Sequence, residues 1–135
     1  MDTDSFSYRI EKSVDPTEVE GVFRRSGIQR PIDDPDRIAR MIQHANVIVS
    51  ARHRERLVGI IRALTDFSYC CYLSDLAVDK EYQRRGVGKA LIRTLQDFLG
   101  TEVMICLLSA PEAMSYYPGT GFEKADHAWW IPREH

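Results

Sequence analysis

The feature that most constrains this chain is one passage in its second half. A long apolar run, residues 69–78, leads through Gln83-Arg84-Arg85-Gly86-Val87-Gly88-Lys89 into an amphipathic segment that stops at Gly100. Ala90, Leu91, Leu95, Phe98 and Leu99 share one helical face, with Lys89, Arg93, Gln96 and Asp97 opposite. Residues 103–108 then read as a second buried strand parallel to the first, so the three pieces make a right-handed βαβ unit. Gly86 and Gly88 let the backbone turn tightly and approach a ligand, and the helix behind them aims unpaired N–H groups and its positive dipole end at that ligand. An anion is the natural occupant, and Arg84, Arg85 and Lys89 add charge for further phosphate oxygens.

Upstream, a short strand around residues 8–10 precedes two helices. Asp15-Pro16-Thr17-Glu18 supplies a cap, a proline at the first helical position and an early carboxylate, and Val19, Val22 and Phe23 make the apolar stripe before Gly27. Asp34-Pro35-Asp36 repeats that start, with Ile38, Met41, Ile42 and Ala45 as the stripe. In the connection between them, Gln29, Arg30 and Pro31 either meet a ligand or decorate an exposed loop. Residues 47–51 and 57–65 form a hairpin around His53-Arg54-Glu55-Arg56. The run 69–78 predicts a central strand buried on both faces. Residues 111–117 predict a short helix ended by Pro118-Gly119, and residues 122–124 and 127–131 are strand-like.

At 135 residues the chain fits one domain, residues 1–135. A formal charge of −2 provides no general attraction to nucleic acid or anionic lipid. The polar start, Met1-Asp2-Thr3-Asp4-Ser5, is followed by no apolar leader, and no run approaches the ~18 apolar residues of a membrane span, which predicts a cytoplasmic protein. Cys70, Cys71 and Cys106 are odd in number and lack metal spacing, so they read as reduced core thiols. His44, His53, His127 and His135 also lack ligand spacing, and no metal is expected.

Two familiar phosphate motifs do not fit. A dinucleotide fingerprint needs a third glycine where Leu91 stands, and a P-loop needs a G-x-x-x-x-G-K-[ST] spacing that Gly86 and Gly88 cannot satisfy. The passage Leu76-Ala77-Val78-Asp79-Lys80-Glu81-Tyr82-Gln83, continuing to Gly88, instead resembles motif A of the GNAT N-acetyltransferase superfamily, Q/R-x-x-G-x-G/A after an apolar strand end. Ala113-Met114-Ser115-Tyr116-Tyr117-Pro118-Gly119-Thr120-Gly121-Phe122 is similar to a second family pattern, A-x-x-F-Y-x-x-x-G-F. Ala110 departs from it, standing where the family often has an asparagine.

The resemblance implies an α/β fold with a mixed, mostly antiparallel sheet of about six to seven strands, about four helices and a central βαβ cofactor-binding unit. It implies acetyl-CoA as co-substrate, held by the backbone of Leu76, Ala77 and Val78 and by Gln83, Arg84, Arg85, Gly86, Val87, Gly88 and Lys89. By the same resemblance Tyr117 is the general acid that protonates the leaving thiolate, a backbone N–H near Val78 serves the oxyanion, and Tyr116 packs in the core. Asp75 is the first candidate for general base and Glu81 the second.

For the acceptor, residues 57–66 and Ala128-Trp129-Trp130-Ile131-Pro132 are similar to small members that include plastid serotonin-type acetyltransferases. That likeness implies a small primary amine such as an arylalkylamine or polyamine, with Trp129 and Trp130 either lining its pocket or packing an edge strand. A protein lysine or N-terminal acetyltransferase and a non-catalytic acyl-CoA-binding module stay open. Many relatives pair as dimers, so a homodimer is compatible with the resemblance, although no interface is legible.

Overall fold

The computed structural model describes residues 5–135, so the acidic start at residues 1–4 lies outside the described residues. Elements follow the order β1 (Ser7–Glu11), α1 (Pro16–Ser26), α2 (Pro35–His44), β2 (Val47–His53), β3 (Arg56–Thr65), β4 (Cys70–Val78), α3 (Val87–Leu99) and β5 (Met104–Cys106). Short 3-10 turns lie at Lys80–Tyr82, Pro111–Ala113 and Tyr117–Gly119. The five strands form one sheet in sequence order, antiparallel from β1 to β4 and parallel between β4 and β5.

Local signals account for the two early helices. The Asp15 carboxylate accepts from the Thr17 N–H at 2.9 Å, the Asp34 carboxylate from the Arg37 N–H at 3.1 Å, and Gly27 ends α1 in the left-handed region at φ 83°. Their apolar stripes cover one face of the sheet, where Val19, Val22, Phe23, Ile38 and Ile42 pack on Ile48, Leu57, Ile60 and Ala77. Helix α3 covers the other face through Val87, Leu91, Ile92 and Leu95, against Val49, Ala51, Ile61, Cys71 and Leu73. Gly59 faces α3, and a Cβ there would meet Leu91 at 3.2 Å, so the close helix–sheet approach depends on the missing side chain. Burying one such Leu or Phe contributes about 2–3 kcal/mol, so the sheet is held from both sides by several residues of that weight.

Several expectations change. Strand β4 alternates between buried and partly open positions rather than being buried on both faces. Strand β5 stops at Cys106, and residues 107–135 add no strand, so the sheet has five strands among the described residues. The helix expected at 111–117 is two 3-10 turns. Trp129 and Trp130 are 94% and 65% exposed, and no strand among the described residues lies beside them to pack against. Of the three free cysteines, Cys71 is buried, Cys106 half-buried and Cys70 exposed, so only Cys71 fits the core description. Burial, with the neighbouring Cys70, pushes the Cys71 thiol up to about 11.

Candidate active site

The site begins with a mismatch between β4 and its neighbours. Arg62 pairs with Asp75 and Ala63 with Leu73, which leaves Ser74 as an extra residue on β4, a β-bulge. The bulge reverses the facing of the strand. Cys71 and Leu73 before it, and Leu76 and Val78 after it, turn toward α3, whereas Ala77 packs with α1 and α2. Strand β5 pairs with β4 only at Cys70, Cys71 and Tyr72. From residue 73 to residue 78 the outer edge of β4 therefore has no strand beside it among the described residues, and Leu76, Ala77 and Val78 lie on that open edge.

At the end of this opening stands α3. Its cap is Gly86, at φ 80° and without a side-chain hydrogen bond, and the first helical bond runs from the Ala90 N–H to the Gly86 carbonyl at 3.0 Å. The N–H groups of Val87, Gly88 and Lys89 precede that bond and have no partner within the helix. A Cβ on Gly86 would meet nothing within 4 Å, so space is open in front of the turn. Uncapped N–H groups, the positive helix end and the adjacent Arg84, Arg85 and Lys89 make a cradle suited to a phosphate group. Arg84 sits at φ 66°, strained for a side-chain-bearing residue, and Arg85 lies over the Tyr82 ring at 5.4 Å.

Two expected ligand residues serve the scaffold through their side chains. Gln83 donates through Nε2 to the Val78 carbonyl at 2.8 Å, tying the turn to the strand end. The Val87 side chain is core, 1% exposed, which leaves only its backbone for a ligand.

Asp75 requires a correction. It is fully buried and ion-paired on both oxygens, with Arg30 Nε at 2.6 Å from Oδ1 and Arg62 Nε at 2.5 Å from Oδ2. Two guanidinium groups stabilise the carboxylate and occupy it, so this arrangement contradicts a general base and makes Asp75 the organiser of two arginines. Arg30 also donates through Nη2 to the Ser74 carbonyl at 2.8 Å, and Arg62 through Nη2 to Ser74 Oγ at 2.8 Å. The cluster thus grips the bulge residue from both sides. A second buried carboxylate follows at the strand end, where Asp79 accepts from Arg25 Nε at 2.6 Å and from the Glu81 N–H at 3.0 Å. Glu81, the other candidate base, is exposed beside it.

Tyr116 is more open than the core role expected of it. Tyr116 is 39% exposed, and its hydroxyl lies 2.3 Å from where a Cβ on Gly88 would stand, so the second glycine of the turn makes room for it. Tyr117 is half-buried and packs edge-on against Tyr116 and Phe122 at 5.2 and 5.6 Å. Burial pushes the Tyr117 phenol above its ordinary value and the neighbouring Tyr116 adds to this, with the Arg30 charge opposing both.

Arg62 escaped sequence reasoning altogether. An arginine inside the apolar run 57–65 is the signal that could have found it, because a buried charge demands a partner. Among the described residues no group of three His, Cys, Asp or Glu side chains could hold a metal ion, and no helix is long and apolar enough to cross a membrane.

Comparison with known proteins gives a family match over most of the chain. The model of the acetyltransferase (GNAT) domain family matches residues 19–128. The chain is 30% identical over 88 residues to GCN5-related N-acetyltransferase 2, chloroplastic, of Arabidopsis thaliana, a match covering 61% of this chain and 34% of that protein. It is 26% identical over 116 residues to the uncharacterized N-acetyltransferase ycf52 of Porphyra purpurea, covering 78% of this chain and 65% of the relative. The chain spans about a third of the length of the plant relatives it matches, 34%, 31% and 29% of them. Among solved structures, a putative acetyltransferase from Deinococcus radiodurans aligns with TM-score 0.77 at 23% identity, over 98% of this chain and 92% of the other. An aminoglycoside N-acetyltransferase in complex with CoA aligns with TM-score 0.72 at 16% identity, over 97% and 96%. At these identities the structural likeness carries the fold alone.

Proposed function

Because this chain belongs to the GNAT acetyltransferase family, a family of acyltransferases, we propose that it moves an acetyl group from acetyl-CoA to the primary amine of a small molecule. The observation that carries the proposal is the junction of the open β4 edge with the uncapped start of α3. The outward backbone groups of Leu76 and the Val78 N–H, on either side of Ala77, supply hydrogen-bonding positions along an extended acyl-pantetheine arm, and the N–H groups of Val87, Gly88 and Lys89 receive the pyrophosphate. Arg84, Arg85 and Lys89 supply further positive charge, and Gln83 holds the turn against the strand.

In the reaction the amine nitrogen forms a bond to the acetyl carbonyl carbon, the carbon–sulfur bond breaks, and the thiolate leaves with the electron pair. A β4 backbone N–H near Val78 stabilises the oxyanion, a contribution of roughly 3 kcal/mol in comparable sites. Tyr117 donates its phenolic proton to the thiolate, whose conjugate acid lies near pH 8.5, and the amine's proton passes to solvent. With Asp75 committed to Arg30 and Arg62 and Asp79 to Arg25, no buried carboxylate among the described residues is free to take that proton. Aminoglycoside acetyltransferases share this fold at TM-scores of 0.72 and 0.64, so the fold accommodates a small-molecule amine acceptor.

Release of free thiol from acetyl-CoA over a panel of aryl, aliphatic and peptide amines tests the proposal. Amine-dependent release supports it, and binding of acetyl-CoA without turnover on any amine replaces it with an acyl-CoA-binding module. The Tyr117→Phe variant is expected to lose about a hundredfold in kcat while keeping its affinity for acetyl-CoA. In the unaltered protein the raised phenol pKa keeps the acid protonated past its ordinary range. Activity should therefore persist to higher pH than an ordinary phenol would allow, and that alkaline limb should disappear in Tyr117→Phe. A fully active variant would remove Tyr117 from the mechanism.

A further inference from the structure

Arg30 and Arg62 bring two guanidinium charges to one carboxylate, Asp75, leaving one positive charge unbalanced in the cluster. Both hydrogen-bond Ser74, the bulge residue of β4, beside the open edge of that strand. Their hydrogen-bonding capacity is only partly spent. Arg62 uses Nε on Asp75 and Nη2 on Ser74, and its Nη1 has no partner among the described residues. That nitrogen is not sealed in the core, since the one fully buried side-chain polar atom without a partner among the described residues is Ser50 Oγ. Arg30 keeps 24% of its side chain exposed, with Nε on Asp75 and its two Nη groups each on one carbonyl, so each Nη retains a second N–H.

A lone carboxylate between two arginines is a frame rather than a sink. It fixes both planar forks in orientation and leaves their outer donors pointing away from it. Such a pre-oriented, partly desolvated pair matches an incoming carboxylate, which accepts up to two parallel N–H bonds from a guanidinium. A cationic polyamine, by contrast, would meet an uncompensated positive charge there.

We infer that the Arg30–Asp75–Arg62 cluster is a carboxylate-binding subsite, so that the acceptor is an amine that also carries a carboxylate, of the amino-acid class. This rests on the acetyl-transfer proposal for the amine and on the cluster alone for the carboxylate. The arginines position the acceptor and take no part in the proton transfers.

The test compares common α-amino acids with their decarboxylated amines on the acetyl-CoA-loaded protein, by thiol release and by calorimetric titration. The expected result is a higher kcat/KM for at least one amino acid than for its decarboxylated partner, by about ten- to a hundredfold, the range of one charge-assisted hydrogen bond. Arg62→Gln should remove that preference, raising KM for the amino acid about ten- to a hundredfold more than for its decarboxylated partner. If Arg62→Gln does not fold, Arg30→Gln, at a more exposed position, should weaken the same preference. A preference for decarboxylated or peptide amines, or an amino-acid preference unchanged in either folded variant, overturns the inference. Arginine-dependent binding of the amino acid without thiol release would keep the subsite and refute acetyl transfer. Thiol release with no role for the carboxylate would do the reverse.

Discussion

In the Asp75→Asn variant the melting temperature is expected to fall by about 10 °C or more, because removing the charge between Arg30 and Arg62 leaves a buried and a half-buried guanidinium group uncompensated. Breaking a buried ion pair from one side costs about 3–5 kcal/mol, and a domain of this size loses about 4 °C per kcal/mol. Asparagine keeps the shape and one acceptor oxygen, which places the loss toward the lower end. A thermal melt separates this role from the alternative. A solvent-reachable general base would lose activity on amidation at unchanged stability, whereas the structure predicts a stability loss first. An Asp75→Asn protein that melts with the unaltered one would contradict the buried pairing.

The second large effect concerns the turn before α3. Acetyl-CoA at about a hundred times its Kd should stabilise the unaltered protein by about 2.7 kcal/mol, visible as a clear rise in melting temperature. Gly86→Glu should abolish that rise, since it sets a carboxylate where the phosphate approaches. It also carries a backbone penalty, because Gly86 holds φ 80°, but that penalty is shared by Gly86→Ala. A Cβ at residue 86 meets nothing within 4 Å, so the alanine variant should melt slightly lower and still respond to acetyl-CoA. An equal response in Gly86→Glu would remove the turn from the cofactor site.

The sequence was informative wherever a physical requirement is local. Asp15-Pro16 and Asp34-Pro35 announce helix starts because their carboxylates satisfy orphan N–H groups two or three residues on. The hairpin and α3 follow from periodicity. What stayed hidden depends on pairing across the sheet. Residues 103–108 look like one strand, yet only Met104–Cys106 pair, because the Ser74 bulge turns β4 away after Tyr72. No periodicity in the chain marks Ser74 as an extra residue. The strand-like character of residues 122–124 and 127–131 likewise has no consequence without a neighbour to pair with.

The candidate site divides in the same way. The turn at Gly86 and Gly88 that opens α3 is legible in the sequence because its geometry is local to the backbone. Asp75 was misread because its partners lie 45 and 13 positions away, in the α1–α2 connection and in β3. A carboxylate beside an active-site strand looks like a base until the charges facing it are known. Tyr116 and Tyr117 differ through the room left by Gly88, which a pattern of adjacent aromatic residues does not show.

The central claim is that acetyl-CoA lies along the open edge of β4 and ends at the first turn of α3. Backbone amide resonances of isotope-labelled protein, followed during titration with acetyl-CoA, test it most directly. The largest shifts are expected at Leu76, Ala77 and Val78 and at Val87, Gly88 and Lys89, with little change in β1 or α2. Saturable shifts centred on α2 or the β2–β3 hairpin, with those six amides unmoved, would contradict it.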